Sequence, residues 1–296
     1  MQEKELIKII KDITQSEYIG DDCAHLKDLG IVVTQDSLVE DVHFSLEYTN
    51  SYQLCWKSAM VNLSDICASG AQPAYMTVAI SIPEYINEDF IKGFYNGIKS
   101  ASGGVKIVGG DITGSDKLYI SITAIGKTES RNISSRSNAK SGYKVIVSGE
   151  HGNSAKGLQM LKNGCKDFDN KFIKSHLMPN AKFLFSKEIS QNKNFDYAMM
   201  DSSDGLADAL MQIAKLSNVL LDINTTKIPH DKNVDIETVL YGGEDYELVA
   251  CVPENILNNI SKYYVIGDVK DGKCGLMLDG LFYDSIDDKT FNHFKS

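Results

Sequence analysis

Acidic side chains recur along this sequence wherever a short apolar run breaks off. Five such segments set an aspartate or glutamate in a turn with glycine or serine: Gly20-Asp21-Asp22, Thr34-Gln35-Asp36, Gly109-Gly110-Asp111, Asp201-Ser202-Ser203-Asp204-Gly205 and Gly242-Gly243-Glu244-Asp245. A sixth acid, Asp65, falls inside a stretch of helical spacing, in Asn62-Leu63-Ser64-Asp65. Aspartate is a poor helix former, so a mid-helix position calls for a solvated face or a ligand. Singly, each segment is ordinary turn chemistry. As a set they offer hard oxygen donors, which select Mg2+ over zinc. Glycines at strand ends also let backbone N–H groups approach phosphates closely. The residues alone therefore specify a magnesium and phosphate site, and stop there.

Two other segments mimic phosphate loops. Gly126-Lys127-Thr128 resembles the end of G-x-x-x-x-G-K-[ST], but position 121 is serine, the preceding residues alternate as a strand, and no helix pattern follows. We reject it. The glycine-rich stretch 149–157 leaves two readings open: anion binding at a helix N-terminus, or a purely structural turn.

Alternating strands and helices must position these acids. The apolar spacing predicts helices over 6–13, 52–68, about 88–99 and 154–161. It predicts strands over 31–33, 76–82, 105–108, 118–124, 145–148, 198–200, 219–223, 248–252 and 264–266. In 118–124 the alternation is clean: Leu118, Ile120, Ile122 and Ala124 point one way, Tyr119, Ser121 and Thr123 the other. The polar stretch 127–142 carries no apolar pattern and divides the chain into an N-terminal unit, 1–138, and a C-terminal unit, 139–296. Both mix strands and helices, as α+β or α/β domains do.

Composition agrees with two folded units. Of 296 residues, 43% are hydrophobic and 24% charged, enough apolar content for a real core. The net charge of −10, without a basic run, opposes nucleic acid as a partner. A metal-chelated nucleotide stays compatible, because divalent cations bridge two sets of negative groups. Six scattered cysteines without a C-x-x-C pair read as reduced thiols. The N-terminus is no signal peptide and no apolar run approaches a membrane span, so we expect a cytoplasmic protein with no membrane partner.

Taken in order, the motifs resemble a known family. They are Asp21-Asp22-Cys23-Ala24, the segment Asp36 to His43-Phe44, Asn62 to Asp65, Gly109-Gly110-Asp111, Asp201 to Leu206, and Gly242-Gly243-Glu244-Asp245-Tyr246-Glu247-Leu248. The set is similar to the signature of thiamine-monophosphate kinases, from about residue 18 to the C-terminus. The V-H-F and G-G-E-D-Y-E-L elements point to this family rather than to aminoimidazole ribonucleotide synthetase, selenophosphate synthetase or a hydrogenase maturation factor. The resemblance implies an N-terminal α+β domain whose mixed sheet pairs with a second subunit, forming a barrel across a homodimer. A C-terminal α/β domain follows, with the active site in the cleft. It implies several Mg2+ ions at Asp22, Thr34, Gln35, Asp36, Asp65, Asp111, Asp201 and Asp204. ATP, the co-substrate, would meet Gly110, Asp111, Arg136 and Ser203. Thiamine monophosphate would meet His43, Glu244 and Phe291. Asp36, Asp111 and Arg136 are the catalytic candidates.

The sequence departs from the family at three places. Gln35 stands where threonine or serine is usual, so a backbone group serves there or the contact is lost. Asp41 replaces a common glycine before Val42-His43. Segment 176–182 lacks a second proline and two arginines, and we assign it no role.

The implied reaction is direct, in-line transfer of the γ-phosphoryl group of ATP to a phosphate monoester, giving thiamine diphosphate. The acceptor oxygen is already ionised at neutral pH, so no general base is needed. The difficulty is repulsion between two anions, which metal ions and a positioned arginine relieve. Two rivals remain: a superfamily relative acting on another acceptor, such as an amide oxygen, and a non-catalytic Mg2+–nucleotide-binding protein. The intact set of aspartates opposes the second.

Overall fold

The computed structural model describes residues 3–287 and 289. An amphipathic helix, α1 (Glu3–Thr14), leads into a five-stranded sheet. Its strands are β1 (Ala24–Leu26), β2 (Ile31–Val39), β3 (Gln72–Ile82), β4 (Lys106–Gly114) and β5 (Tyr119–Lys127), ordered β1-β2-β5-β3-β4. Only the β3–β4 pair is parallel. The predicted alternation of β5 holds: Ile120, Ile122 and Ala124 are fully buried while Tyr119 and Lys127 are exposed.

Two helices accompany this sheet, α2 (Ser51–Ala68) and α3 (Glu88–Ala101). Asn50 and Gln53 form a reciprocal capping box that starts α2. Most of α2 is buried all round, as befits a helix covered on both sides. On one side lie β2, β3 and β5; on the other lies the second sheet.

That second sheet has seven strands: β6 (Lys144–Val147), β7 (Ala198–Asp201), β8 (Leu220–Ile223), β9 (Leu248–Val252), β10 (Tyr264–Lys270), β11 (Gly275–Leu278) and β12 (Leu281–Tyr283). The order is β12-β11-β8-β10-β6-β9-β7. Around it run α4 (Asn153–Lys162), α5 (Lys171–Leu177), α6 (Phe183–Ser190), α7 (Leu206–Ser217) and α8 (Ile236–Tyr241). Strand β9 is buried on both faces: Leu248, Ala250 and Val252 join the core around α2, and Val249 and Cys251 join that around α7.

Two local expectations need correction. Thr34-Gln35-Asp36 lies inside β2, and Gly109-Gly110-Asp111 inside β4, where turns were expected. Gly110 sits in β4 because a Cβ there would lie 1.9 Å from the Val78 carbonyl oxygen. Among the described residues no helix is long and apolar enough to cross a membrane.

Candidate active site

Helix α2 supplies the middle of the site and ties both sheets to it. Asn62 Oδ1 accepts the backbone N–H of Asp36 at 2.9 Å, and Asn62 Nδ2 donates to the Ser58 carbonyl at 2.9 Å. Thr34 Oγ1 donates to Asp65 Oδ2 at 2.6 Å. From the second sheet, Asp201 at the end of β7 accepts from Ser64 Oγ at 2.6 Å. Asp22, Asp65 and Asp201 thereby place carboxylate oxygens within 4.8 Å of one another.

Such crowding is electrostatically unfavourable unless a cation or a proton intervenes. Burial, then Asp36, Asp201 and Asp22, push the Asp65 carboxyl well above the usual range. Burial and then Asp22 push Asp201 up to about 7, against the pull of Ser64 and Arg136. The donors are all carboxylate oxygens, which suits a hard cation such as Mg2+. Arg136 closes one side: Nε and Nη2 fork onto Asp22 at 3.2 and 3.0 Å, and Nη1 donates to Gln212 Oε1 at 2.6 Å. Burial works against this guanidinium's charge, but Asp22 outweighs it and its pKa rises.

A second cluster surrounds Glu244. Lys57 Nζ, buried on α2, lies 2.8 Å from Glu244 Oε1, and His176 Nδ1 lies 3.4 Å from Oε2. Burial and then Lys57 push His176 down to about 3, so it is neutral at neutral pH, with Ser154 Oγ at 3.1 Å. His43 also acts on Glu244. Its Nδ1 accepts the Val39 N–H at 3.0 Å, which leaves Nε2 as the donor. Tyr246 stands between the clusters: burial, then Glu244, Asp36, Asp201 and Asp204, raise its phenol pKa.

Asp22, Thr34, Asp36, Asp65, Asp201 and Arg136 are thus brought together, with Asp204 close to Tyr246. Ser203 joins the Glu244 loop, its carbonyl accepting the Glu244 N–H at 2.6 Å. Other candidates stand apart. Gln35 turns to the opposite face of β2 from Thr34 and Asp36, where its Oε1 accepts from Thr123 Oγ1 at 3.0 Å. Gly110 shares a row with Asp36, Ile122 and Val78, about 14 Å away by strand spacing. Asp111, in the next row with Ala79, Ser121 and Ser37, faces away from the Asp36 side. Phe291 lies outside the described residues.

The sequence reading missed Lys57, His176 and Tyr246. His176 lies in the segment left without a role, and Lys182 of that segment pairs with Glu247 at 2.6 Å. The glycine-rich stretch 149–157 now has a structural explanation. Asp245 accepts the Gly152 and Ser154 N–H groups at 2.5 and 2.9 Å, so the protein's own carboxylate occupies the start of α4.

Residues 20–128 match the family of AIR synthase related proteins, N-terminal domain. That match, with the two-sheet fold, defines a member of that broad class. A thiamine-monophosphate kinase of Aquifex aeolicus is 34% identical over 307 aligned positions, covering 98% of this chain and 97% of that one. The solved complex of AaThiL with AMPPCP and TMP superposes with a TM-score of 0.90 at 32% identity, covering 99% and 97%. The thiamine-monophosphate kinase of Stenotrophomonas maltophilia superposes at 0.76, with 29% identity and 94% and 96% coverage. The chain belongs to the thiamine-monophosphate kinase family, a family of phosphotransferase enzymes.

Proposed function

We propose that this enzyme transfers the γ-phosphoryl group of ATP directly, in line, to thiamine monophosphate, yielding thiamine diphosphate and ADP. The observation that carries the reading is the cluster of Asp22, Asp65 and Asp201, drawn from the bend before β1, from α2 and from the end of β7, and closed by Arg136. Asp22, Asp36, Asp65, Asp201 and Asp204, with Thr34, would hold several Mg2+ ions, which would supply positive charge against the phosphates of both substrates. Arg136, released from its fork on Asp22, binds the nucleotide phosphates, and Ser203 lies beside them. His43, through Nε2–H, and Glu244 orient the thiamine phosphate, with Phe291 as a further contact. No base is required, since the acceptor oxygen is ionised.

The division at 138/139 follows the irregular chain between β5 and β6. The homodimer is supported by β4, an open edge exposed along its whole length, where Ile107, Val108 and Ile112 face solvent. We place Gly110 and Asp111 at the nucleotide only in that assembly. Six free cysteines suit a cytoplasmic setting.

The test is phosphoryl transfer from ATP with Mg2+, with the product identified by chromatography and unphosphorylated thiamine as control acceptor. Thiamine diphosphate formed from the monophosphate alone is the expected result. Folded protein that binds Mg·ATP yet forms no product refutes the reading and promotes another acceptor or a non-catalytic role.

A further inference from the structure

Two residues beyond Asp65, helix α2 reaches a groove of opposite sign. The groove encloses about 520 Å³, the size of a small-molecule site. Lys127, Arg131 and Lys187 line it, with Cys67, Pro73 and Phe183 as an apolar wall. Its one acid, Glu129, forms no ion pair among the described residues. Lys127 is the lysine of the Gly126-Lys127-Thr128 segment; β5 ends there without a following helix, so no P-loop forms.

Arg131 is the telling side chain. Its guanidinium is partly withdrawn from water, and Nη1 donates to a neutral acceptor, Ser190 Oγ, at 2.8 Å. Among the described residues no carboxylate pairs with it. Burial lowers its pKa, partly offset by Tyr197 and Cys67. A guanidinium presents five N–H donors in a fork that fits phosphate oxygens.

The ordinary structural use of cations here would be to satisfy the negative end of α2. That role is already filled. Cys67 O accepts from Ser186 Oγ at 2.6 Å and from the Gly70 N–H at 2.9 Å. Ala68 O accepts from Ser134 Oγ at 2.6 Å, and Ser69 O from the Ser134 N–H at 3.0 Å. Lys127 Nζ lies over the Tyr75 ring at 5.9 Å, and among the described residues none of the three cations forms an ion pair with a carboxylate, Glu129 of the same groove included.

We propose that this groove binds the phosphate or diphosphate group of a small molecule without Mg2+, on Arg131, Lys127 and Lys187, its organic part against Pro73 and Phe183. The site is separate from the acidic cluster, which repels bare anions when no metal is present.

That contrast gives the test. The full chain, freed of metal, is titrated calorimetrically with inorganic pyrophosphate, and in parallel with ADP and thiamine diphosphate. One saturable site per chain, weakened by added salt, is expected. The double variant Lys127→Gln/Lys187→Gln weakens it by roughly tenfold, the effect of two exposed charge contacts. Arg131→Gln weakens it further, with folding verified by thermal melts. Tighter binding of ADP or thiamine diphosphate than of pyrophosphate supports the apolar wall and identifies the organic class; equal binding of all three assigns the site to the anion alone. No saturable binding, or binding unchanged in the double variant, overturns the proposal. Because metal is absent, neither result depends on the kinase assay.

Discussion

The two halves of the molecule hold their shares of the acidic site by different means. In the first, Thr34 and Asp36 lie inside β2 and Asp65 inside α2, so ladder hydrogen bonds and the core fix them. In the second, Asp201 ends β7, and Ser203, Asp204 and Glu244 follow in irregular chain. There the backbone takes unusual turns: Gly205 at φ 105°, Glu244 at 65° and Tyr246 at 51°. Such conformations persist only where surrounding contacts over-determine them. Thr34, Asp36 and Asp65 are thus held by regularity, while Asp22 is held by its fork with Arg136 and the second half by side-chain bridges such as Lys57–Glu244 and Lys182–Glu247. Substitutions at Thr34, Asp36 or Asp65 should act on chemistry without loosening the protein; those in the second half should also loosen it.

The largest expected effect tests the rigid half. Asp65→Asn keeps an acceptor for Thr34 Oγ1 but removes a charge from the cluster. Turnover should fall by roughly 10²–10³, the scale of losing one electrostatic contact at a reacting phosphate. The metal-free protein should melt at a higher temperature, because a crowded like charge is gone. Turnover and melting measured together decide it; unchanged turnover would remove Asp65 from the site.

In the second half the same kind of change should destabilise. Glu244→Gln leaves the Lys57 ammonium buried without its counter-charge, its side chain being only 4% exposed. The cost is about 2 kcal/mol, below that of a fully buried pair because 28% of the Glu244 side chain is exposed. Adding Lys57→Met should recover most of it. Denaturant melts of the single and double variants provide the check, and additive losses would show that the pair is not coupled.

Asp201, where the halves meet, gives a pH signature. Its folded carboxyl titrates at about 7, above the ordinary carboxylate range. Below about pH 4 both folded and unfolded chains hold the proton. Between there and about 7 this carboxyl, like that of Asp245, keeps in the folded chain a proton it loses in the unfolded one, so both contribute a metal-free stability that falls as pH rises through this window. The melting temperature should drop by a few degrees, Asp201→Asn should flatten the slope, and Mg2+ should restore stability above it. A metal-free melting temperature that rises across the window would contradict the assignment.

Legibility in the sequence followed the same division. Regular elements announce themselves: β5 alternates as its sequence predicts, and β9 spans the predicted 248–252. Glycine and aspartate inside strands did not, since Gly109-Gly110-Asp111 and Thr34-Gln35-Asp36 have turn composition. What makes them strand is a neighbour remote in sequence: the Val78 backbone against Gly110, and Asn62 holding the Asp36 N–H. Lys57, His176 and Tyr246 were invisible for a related reason, because nothing local marks a lysine that meets a glutamate from the other sheet. Helix α7 is masked in the sequence although Leu206, Leu210 and Ile213 repeat at helical spacing, since they follow directly on the Asp204-Gly205 turn.

Asp41 supplies the smallest effect and the sharpest test of regularity against strain. It was read as standing where the family commonly has glycine, and its φ of 65° gives the physical reason, a left-handed backbone before His43. Replacement by glycine relieves that conformation, which costs an aspartate less than most residues. Against this, glycine adds freedom to the unfolded chain and removes the exposed Lys117 ion pair at 3.0 Å. These contributions nearly cancel, so Asp41→Gly should stay within about 0.5 kcal/mol of the parent. Asp41→Val should fall further, because a β-branched residue is a true outlier at positive φ. Chemical melts of both resolve the order. If Asp41→Val is as stable as Asp41→Gly, the turn before His43 carries no strain, and the contrast between the halves narrows to the chain beyond β7.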